Sequence, residues 1–562
     1  MKGNIIKEMI LFICSLFLIA CFVFFYYPIR NVHWIFLLLS GILLHFLIKR
    51  SIGLIDYYQG FWKTKRVSLF LFLLIFPLIL MFSTKGSQIH LQDNGGLIVC
   101  LTYVGTYAVF ICIVAWLLYI FLSVPSFNGD KNTNKGKILF YALPPLFVWL
   151  FFWVAFFPGG MTPDSLSQWE QAHTGQLNNW HPVAYTWFIM FLTKIWDSPA
   201  IVTLAQIIII SVIIGYLCYL MEKYNFPKWM SWGISILFAI SPINSIYSII
   251  IWKDVLYSAF LLLFSIFILN IVRTKGYWLE NNSCMILFFL GSLGLVFFRH
   301  NGIYVFFLTM LVLAFCFIRV LKRLLISFVC VVFIYLTVTG PIFSHLNVKP
   351  SDPNEALSIP TQQIATIIVK DGYMTEEQKE YIDTIFPLEL WKERFNPYNT
   401  NPIKFSWGEY KREVIFEDPV RYFKTWLQLC FQNPVLAVEG FLKQTSLVWQ
   451  INEPDDGYTD TFVTNVYYGN KFGLKNVVIS KKVTDIANTI LVNSRKIEEI
   501  LWRPAVYTYG IILLAFVTYL KNDYRSWLIV FPVLLNTLIV MAALPAQDFR
   551  YLYGNTLVLY LP

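Results

Sequence analysis

Long apolar runs recur along the whole sequence. A helical bilayer crossing needs about 20 mostly apolar residues, so these runs dictate the class of fold. The spans read as 8–27, 33–49, 67–83, 97–123, 138–157, 199–221, 228–250, 254–272, 284–298, 302–319, 323–342, 503–520 and 525–544, about 13 helices. A chain that is 57% hydrophobic and 14% charged cannot bury that surface in a water-soluble core. A β-barrel is excluded because its signature is short alternating segments. The expected fold class is an all-α polytopic membrane protein.

The net charge of +10 is not a nucleic-acid signal, because Lys and Arg sit in short loops between apolar runs. Lys2 and Lys7, then Lys49, Arg50, Lys63, Lys65 and Arg66, then Lys131, Lys135 and Lys137 fall in alternate loops. Lys223, Lys228, Arg273, Lys275, Lys322, Arg323, Lys521 and Arg525 continue the series, provided that 182–196 does not cross. That segment is apolar but short, and an interfacial helix suits it. The basic side is then the cytoplasm, with the N-terminus inside. The first run, Met9 to Tyr27, lacks a small-residue cleavage site and reads as a retained helix. Eight of nine Cys lie in apolar runs, no Cys-x-x-Cys occurs, and only Cys430 falls in the large polar segment. They read as small core residues.

Four regions follow: N-terminal helices over 1–137, a helical module over 138–342, a mostly helical external domain over 343–502 and C-terminal helices over 503–562. In the external domain, Thr375-Glu-Glu-Gln378 matches a capping box that opens a helix towards Ile385. Phe431 to Trp449 alternates apolar and polar positions at helical spacing, as in a segment resting on a bilayer surface.

The outer side collects the chemistry. Thr162-Pro163-Asp164 reads as a helix start, with Thr as N-cap, Pro at the first position and Asp in the first turn. Asp164 either complements the helix dipole or acts as a general base towards an acceptor hydroxyl. Gly159-Gly160 before it would let backbone approach a substrate closely. Glu170 and His173, farther along this helix, are acceptor-binding candidates or members of a solvated face, and His181 before Pro182 is a substrate-binding candidate or a structural histidine. Lys253-Asp254 opens an apolar run. The pair snorkels, or Lys253 neutralises a phosphate while Asp254 holds an acceptor hydroxyl or a divalent ion. Arg299-His300-Asn301-Gly302 is a tight outer turn whose basic residues defy the positive-inside trend. An anionic lipid phosphate gripped by the forked guanidinium gives a reason, as does non-specific headgroup contact. Arg550 is a second phosphate candidate and Arg503 a weaker one. No Walker, dinucleotide or zinc-helix motif occurs, so no nucleotide is expected.

Pro158-Gly-Gly-Met-Thr-Pro-Asp-Ser165, Asn179-Trp-His-Pro182, Trp252-Lys-Asp254, Arg299-His-Asn-Gly302 and Phe549-Arg-Tyr551 resemble the pattern of GT-C fold membrane glycosyltransferases. More closely, they resemble a family of large multi-pass proteins from Gram-positive bacteria. The resemblance covers 138–340 best. It implies a GT-C-like bundle, two interfacial helices in the first outer loop of the module (163–175 and 182–196), and a catalytic acid there, Asp164. It implies a second acid one outer loop later, Asp254, and a sugar donor carried on polyprenyl phosphate. Such enzymes commonly pair adjacent acids, whereas Asp164 has no acidic neighbour, so metal use stays open.

The expectation is an inverting glycosyltransferase of the bacterial plasma membrane, with its active site on the outer face. Asp164 deprotonates the acceptor. Arg299, helped by Lys253 or Arg550, stabilises the departing phosphate, and Asp254, His300, Asn301, His181 and Glu170 bind substrate. The acceptor is a cell-envelope glycan or glycolipid. Two rival readings stand: a polymerase or ligase of polyprenyl-linked glycans that relies on His181 and Arg299, and a lipid or glycan transporter without chemistry.

Overall fold

Backbone polar groups have no water to bond in hydrocarbon, so apolar segments must satisfy them internally, as a helix does. The computed structural model describes residues 2–27, 33–62, 65–84, 95–127, 129–454 and 461–561, with side chains described outside 2–5 and 51–62. Lys63 lies outside the described residues, and Lys2 is described by its backbone alone. Among the described residues the protein is helical, with only isolated bridges such as Gly160 to Ile250 and Met161 to Val466. Among the described residues, eight helices are long and apolar enough to cross a membrane, and five shorter apolar helices accompany them. The chain is therefore a multi-pass helical membrane protein.

It divides into two compact units. The first holds Met1–Ser126, Gln450–Pro454 and Ile512–Tyr524. Its helices are α1 (Lys2–Tyr26), α2 (Trp34–Trp62), α3 (Arg66–Ser83) and α4 (Gly96–Ser123). Ile19, Leu44 and Val109 form one buried cluster, and Phe25, Met81 and Phe110 another.

The second unit holds Phe127–Trp449, Asp455–Ile511 and Arg525–Pro562. It opens with α5 (Lys137–Ala155), α6 (Pro163–Thr174), α7 (Val183–Thr193) and α8 (Pro199–Lys223). At about 1.5 Å per residue, α7 is about 16 Å long, short of the roughly 30 Å a crossing needs. Helices α5 and α8 pack so closely that a Cβ on Gly215 would stand 2.2 Å from the Ile138 carbonyl. Residues 228–250 do not form one continuous helix. They break into α9 (Lys228–Ile240) and α10 (Pro242–Tyr247), where Pro242 supplies no N–H to continue the ladder.

Helix α11 (Lys253–Arg273) is the most enclosed of the spans, and its apolar side chains pack on every side. Helices α12 (Asn282–Phe297), α13 (Gly302–Cys316) and α14 (Leu321–Thr337) follow. Between 343 and 502 lie α15 (Ser358–Val369), α16 (Glu376–Ile385), α17 (Pro419–Gln432), α18 (Pro434–Gln444) and α19 (Lys481–Arg495). The capping box is present at α16, where Thr375 Oγ1 accepts from Gln378 N and Gln378 reaches back to Thr375 N. Ile364, Ile382, Phe386, Trp391, Tyr422 and Leu429 anchor a core of their own. Helix α20 (Pro504–Lys521) and α21 (Phe531–Ala543) precede the segment that carries Arg550.

Candidate functional site

The loop after α5 is fixed by main chain before any side chain acts. Gly160 N–H donates to Ile249 O, Ile251 N–H returns to Gly160 O, and Met161 exchanges bonds with Asn465 and Tyr467. Gly159 sits at φ +121°, and a Cβ on Gly160 would stand 2.4 Å from the Val463 carbonyl. The glycine pair thus serves close approach of the protein's own backbone, not the approach to a substrate that the sequence suggested.

Helix α6 starts as its residues dictate, with Thr162 at the N-cap, Pro163 first and Asp164 in the first turn. Ser165 Oγ accepts from Thr162 N at 3.1 Å and donates to Ile251 O at 2.7 Å. Trp252 Nε1 donates to Thr162 Oγ1 at 2.9 Å. These bonds pin the start of α6 against the start of α11, and so set Asp164 beside Lys253 and Asp254.

Charged groups from four chain segments converge there. Arg550 Nη1 donates to Asp164 Oδ2 at 2.8 Å, and Arg550 Nε lies 2.8 Å from Asp548 Oδ2. His181 Nε2 lies 3.8 Å from Asp164 Oδ1, while its Nδ1 is 3.0 Å from Lys253 Nζ. Lys253 Nζ is 3.8 Å and Arg299 Nε 3.3 Å from Asp254. Arg299 also donates to Tyr551 O at 3.0 Å. The Tyr551 ring lies near both guanidiniums, at 5.3 Å from Arg299 and 5.4 Å from Arg550, and Trp252 lies 4.9 Å from Arg550.

Most of the cluster is sealed from water: Asp254 is 1% exposed, and His181, Asp548, Arg550, Arg299 and Lys253 are largely buried. Asp164 differs, with 34% of its side chain exposed. Both Asp254 oxygens lack a hydrogen-bond partner, so that carboxylate is held by charge alone. Its neighbours are two cations, and among the described residues no group of three or more His, Cys, Asp or Glu is placed to hold a metal. In this arrangement the single Asp254 carboxylate serves as counter-ion to both cations.

Partial burial raises the Asp164 carboxyl, but the charges of Arg550, His181 and Lys253 outweigh it and hold the group well below the ordinary carboxylate range. Burial, reinforced by the Lys253 charge, pulls His181 down to about 3. A lysine ammonium only donates, so Nδ1 of the neutral imidazole accepts and the proton sits on Nε2, facing Asp164. Burial pushes Asp548 up to about 6 despite Arg550. It also lowers His300, again with help from Lys253.

Other expected residues stand elsewhere. Glu170 pairs with Lys471 at 2.7 Å on the solvated face of α6, since six residues along a helix turn it away from the face of Asp164. His173 bonds Trp169 O and Asp197, each at 2.8 Å. Arg503 is wholly buried and donates to Ser446 O. His300 Nε2 meets Asn179 O at 3.0 Å and so holds the loop that carries His181. Asn301 Nδ2 donates to Asn536 Oδ1 at 2.7 Å, and Tyr257 OH donates to the same atom. These two asparagines position helices and do not enter the charged cluster.

Sequence reading missed Asp548, Trp252, Tyr551 and Asn536 as partners. Asn536 had a signal, an amide inside an apolar run. It also missed the polar brace behind Arg550. Thr400 N and Oγ1 donate to Pro545 O, Gln444 Nε2 donates to Leu544 O at 2.7 Å, and Gln547 Nε2 donates to Gln444 O at 2.8 Å. Residues from the 343–502 segment therefore grip the loop that delivers Arg550.

A family model described as "Family of unknown function (DUF6020)" matches residues 107–560, which include every member of the cluster. No curated protein and no solved structure matches the chain.

Proposed function

The chain belongs to this family of unknown function, and on that premise we propose that it is a GT-C-type inverting glycosyltransferase. It moves a sugar from a polyprenyl-phosphate carrier to a cell-envelope glycan or glycolipid on the outer face of a bacterial plasma membrane. The reading includes about 13 crossings: the eight long helices, α2 over 33–49, and the shorter α9, α12, α13 and α21, with α7 left at the interface. The observation that carries it is the contrast between Asp164 and its surroundings: a part-exposed carboxylate at the edge of a buried set of cations from Lys253, Arg299 and Arg550.

That arrangement supports acid–base chemistry coupled to an anionic leaving group. In the resting protein Arg550 makes Asp164 a weak base. A donor phosphate competing for Arg550 would free the carboxylate and raise its basicity where the acceptor hydroxyl arrives. Asp164 then takes the hydroxyl proton, the acceptor oxygen bonds the anomeric carbon, and the carbon–oxygen bond to phosphate breaks. Its electron pair leaves on the lipid phosphate, which Arg550 and Arg299 stabilise. Asp254 holds Arg299 and Lys253 in place. The polymerase or ligase reading, which relies on His181 and Arg299, is less well supported, because Lys253 takes the free lone pair of His181.

The test is sugar transfer by purified protein in lipid, wild type against Asp164→Asn, with a panel of polyprenyl-phosphate sugars and crude envelope polymer as acceptor. A drop of about a hundredfold or more supports the base. Undiminished transfer by the variant removes Asp164 from that role.

A further inference from the structure

Helix α17 carries two opposed apolar faces. Tyr422, Thr425 and Leu429 are buried against the core of the 343–502 segment. On the other side Val420, Phe423, Leu427 and Phe431 are exposed, Phe431 to 82%. At about 100° per residue they fall within an arc of about 80°. The stripe continues past the Asn433-Pro434 junction on α18, where Val435, Val438 and Leu442 repeat the spacing and are exposed in turn. Helix α17 contains no Asp or Glu, and the exposed Arg421 and Lys424 border the stripe. A helix apolar on two faces needs a second apolar partner.

The position of these helices identifies that partner. Helix α18 ends against the end of α21: Gln444 Nε2 bonds Leu544 O, and Leu447 and Val448 pack with Val540 and Leu544. Helix α19 is fixed in the same way to α5, a candidate span, because Thr484 Oγ1 donates to Ala155 O at 2.8 Å. It too exposes apolar residues, Ile486 and Ile490, beside Lys481 and Lys482. The loops that leave α5 and α21 meet at Asp164 and Arg550, so these ends lie on one side of the membrane.

We propose that the α17–α18 stripe is seated in the lipid leaflet on the side of the candidate site, with Arg421 and Lys424 at anionic headgroups. The segment that braces Arg550 is then held at the bilayer surface and does not project into water. This placement is independent of any transfer activity.

The experiment uses the full-length protein in vesicles of neutral and anionic phospholipid. A small environment-sensitive fluorescent amino acid is introduced by codon suppression at Phe431 or Val435, one site per protein. Glu380 on α16 is the water-exposed control, and Phe315 on α13, exposed on an apolar helix, is the lipid-facing control. Lipids brominated in the acyl chains are expected to quench the probes at 431, 435 and 315 at least twofold and to leave 380 unchanged. Quenching at 315 with none at 431 and 435 overturns the proposal. So does a probe at 431 that is shielded from bromine and shifts with the protein-to-lipid ratio, since a second copy then covers the stripe.

Discussion

Arg550 donates to the Asp164 carboxylate at 2.8 Å although 386 positions separate them in the chain. Each has another polar neighbour, the Asp548 carboxylate for the guanidinium and the neutral His181 imidazole for the carboxylate. The pair is therefore one exchangeable contact within a network, and a ligand anion can replace Asp164 without leaving Arg550 unpaired.

Replacing Arg550 with Ala is expected to cost transfer about a hundredfold to a thousandfold, the loss typical of one preorganised donor to a developing anion. The pH profile should change as well. Wild-type Asp164 stays ionised to well below the ordinary carboxylate range, so kcat/KM should hold level as pH falls to about 4. Without Arg550 the acidic limb should move upward. A profile of kcat/KM against pH for both proteins checks this.

Asp548 supplies a stability signature. Its folded pKa of about 6 stands above the ordinary value of 3.8, so the unfolded chain releases this proton first. The fold is penalised progressively as pH rises from about 4 to about 6, by roughly 2–3 kcal/mol once complete. Asp548→Asn should therefore melt higher than wild type at pH 7.5 and close to it at pH 4.5. Unfolding midpoints in one detergent at the two pH values decide the matter; equal shifts at both would assign the effect to packing.

Gly160→Ala should be damaging out of proportion to its size. The new Cβ would stand 2.4 Å from the Val463 carbonyl, which belongs to backbone and has no rotamer to change. A cost of about 1–3 kcal/mol is expected, read as a lowered melting temperature and reduced yield of monodisperse protein. Gly175→Ala is the comparison, since its Cβ meets nothing within 4 Å and only its φ of +71° opposes it.

Gln444→Leu removes a buried amide that donates to Leu544 O and leaves that carbonyl without this bond. A loss of about 1–3 kcal/mol in stability follows from the orphaned acceptor. If the brace positions Arg550, donor KM should also rise, with a smaller change in kcat. Conservative Gln444→Asn tests whether the reach of the side chain matters, through the same KM and kcat comparison.

Much of this was legible in sequence for a physical reason. Apolar runs obey bilayer thickness, and the helix start at Thr162-Pro163-Asp164 obeys local capping rules, so both could be read without tertiary information. The Thr375 capping box was legible on the same grounds. What could not be read is whatever depends on segments far apart in the chain. Nothing in the spacing of Asp164 and Arg550 announces their contact, and nothing at Lys253 says that its ammonium will meet His181. Glu170 had two readings in sequence, acceptor-binding or solvated face, and helical rotation sets it on the solvated face beside Lys471. The run 228–250 reads as one helix by its apolar length, and it breaks at Pro242.

That Arg550 follows its partners in the chain has a bearing on biogenesis. When every helix through α20 has been made, Asp164 still lacks its guanidinium and Arg299 its Tyr551 carbonyl. Assembly of the charged centre therefore waits until residue 550 has been made. Premature termination before Arg550 should yield a membrane-inserted product whose Asp164 lacks this partner, a natural mark for proteolytic removal.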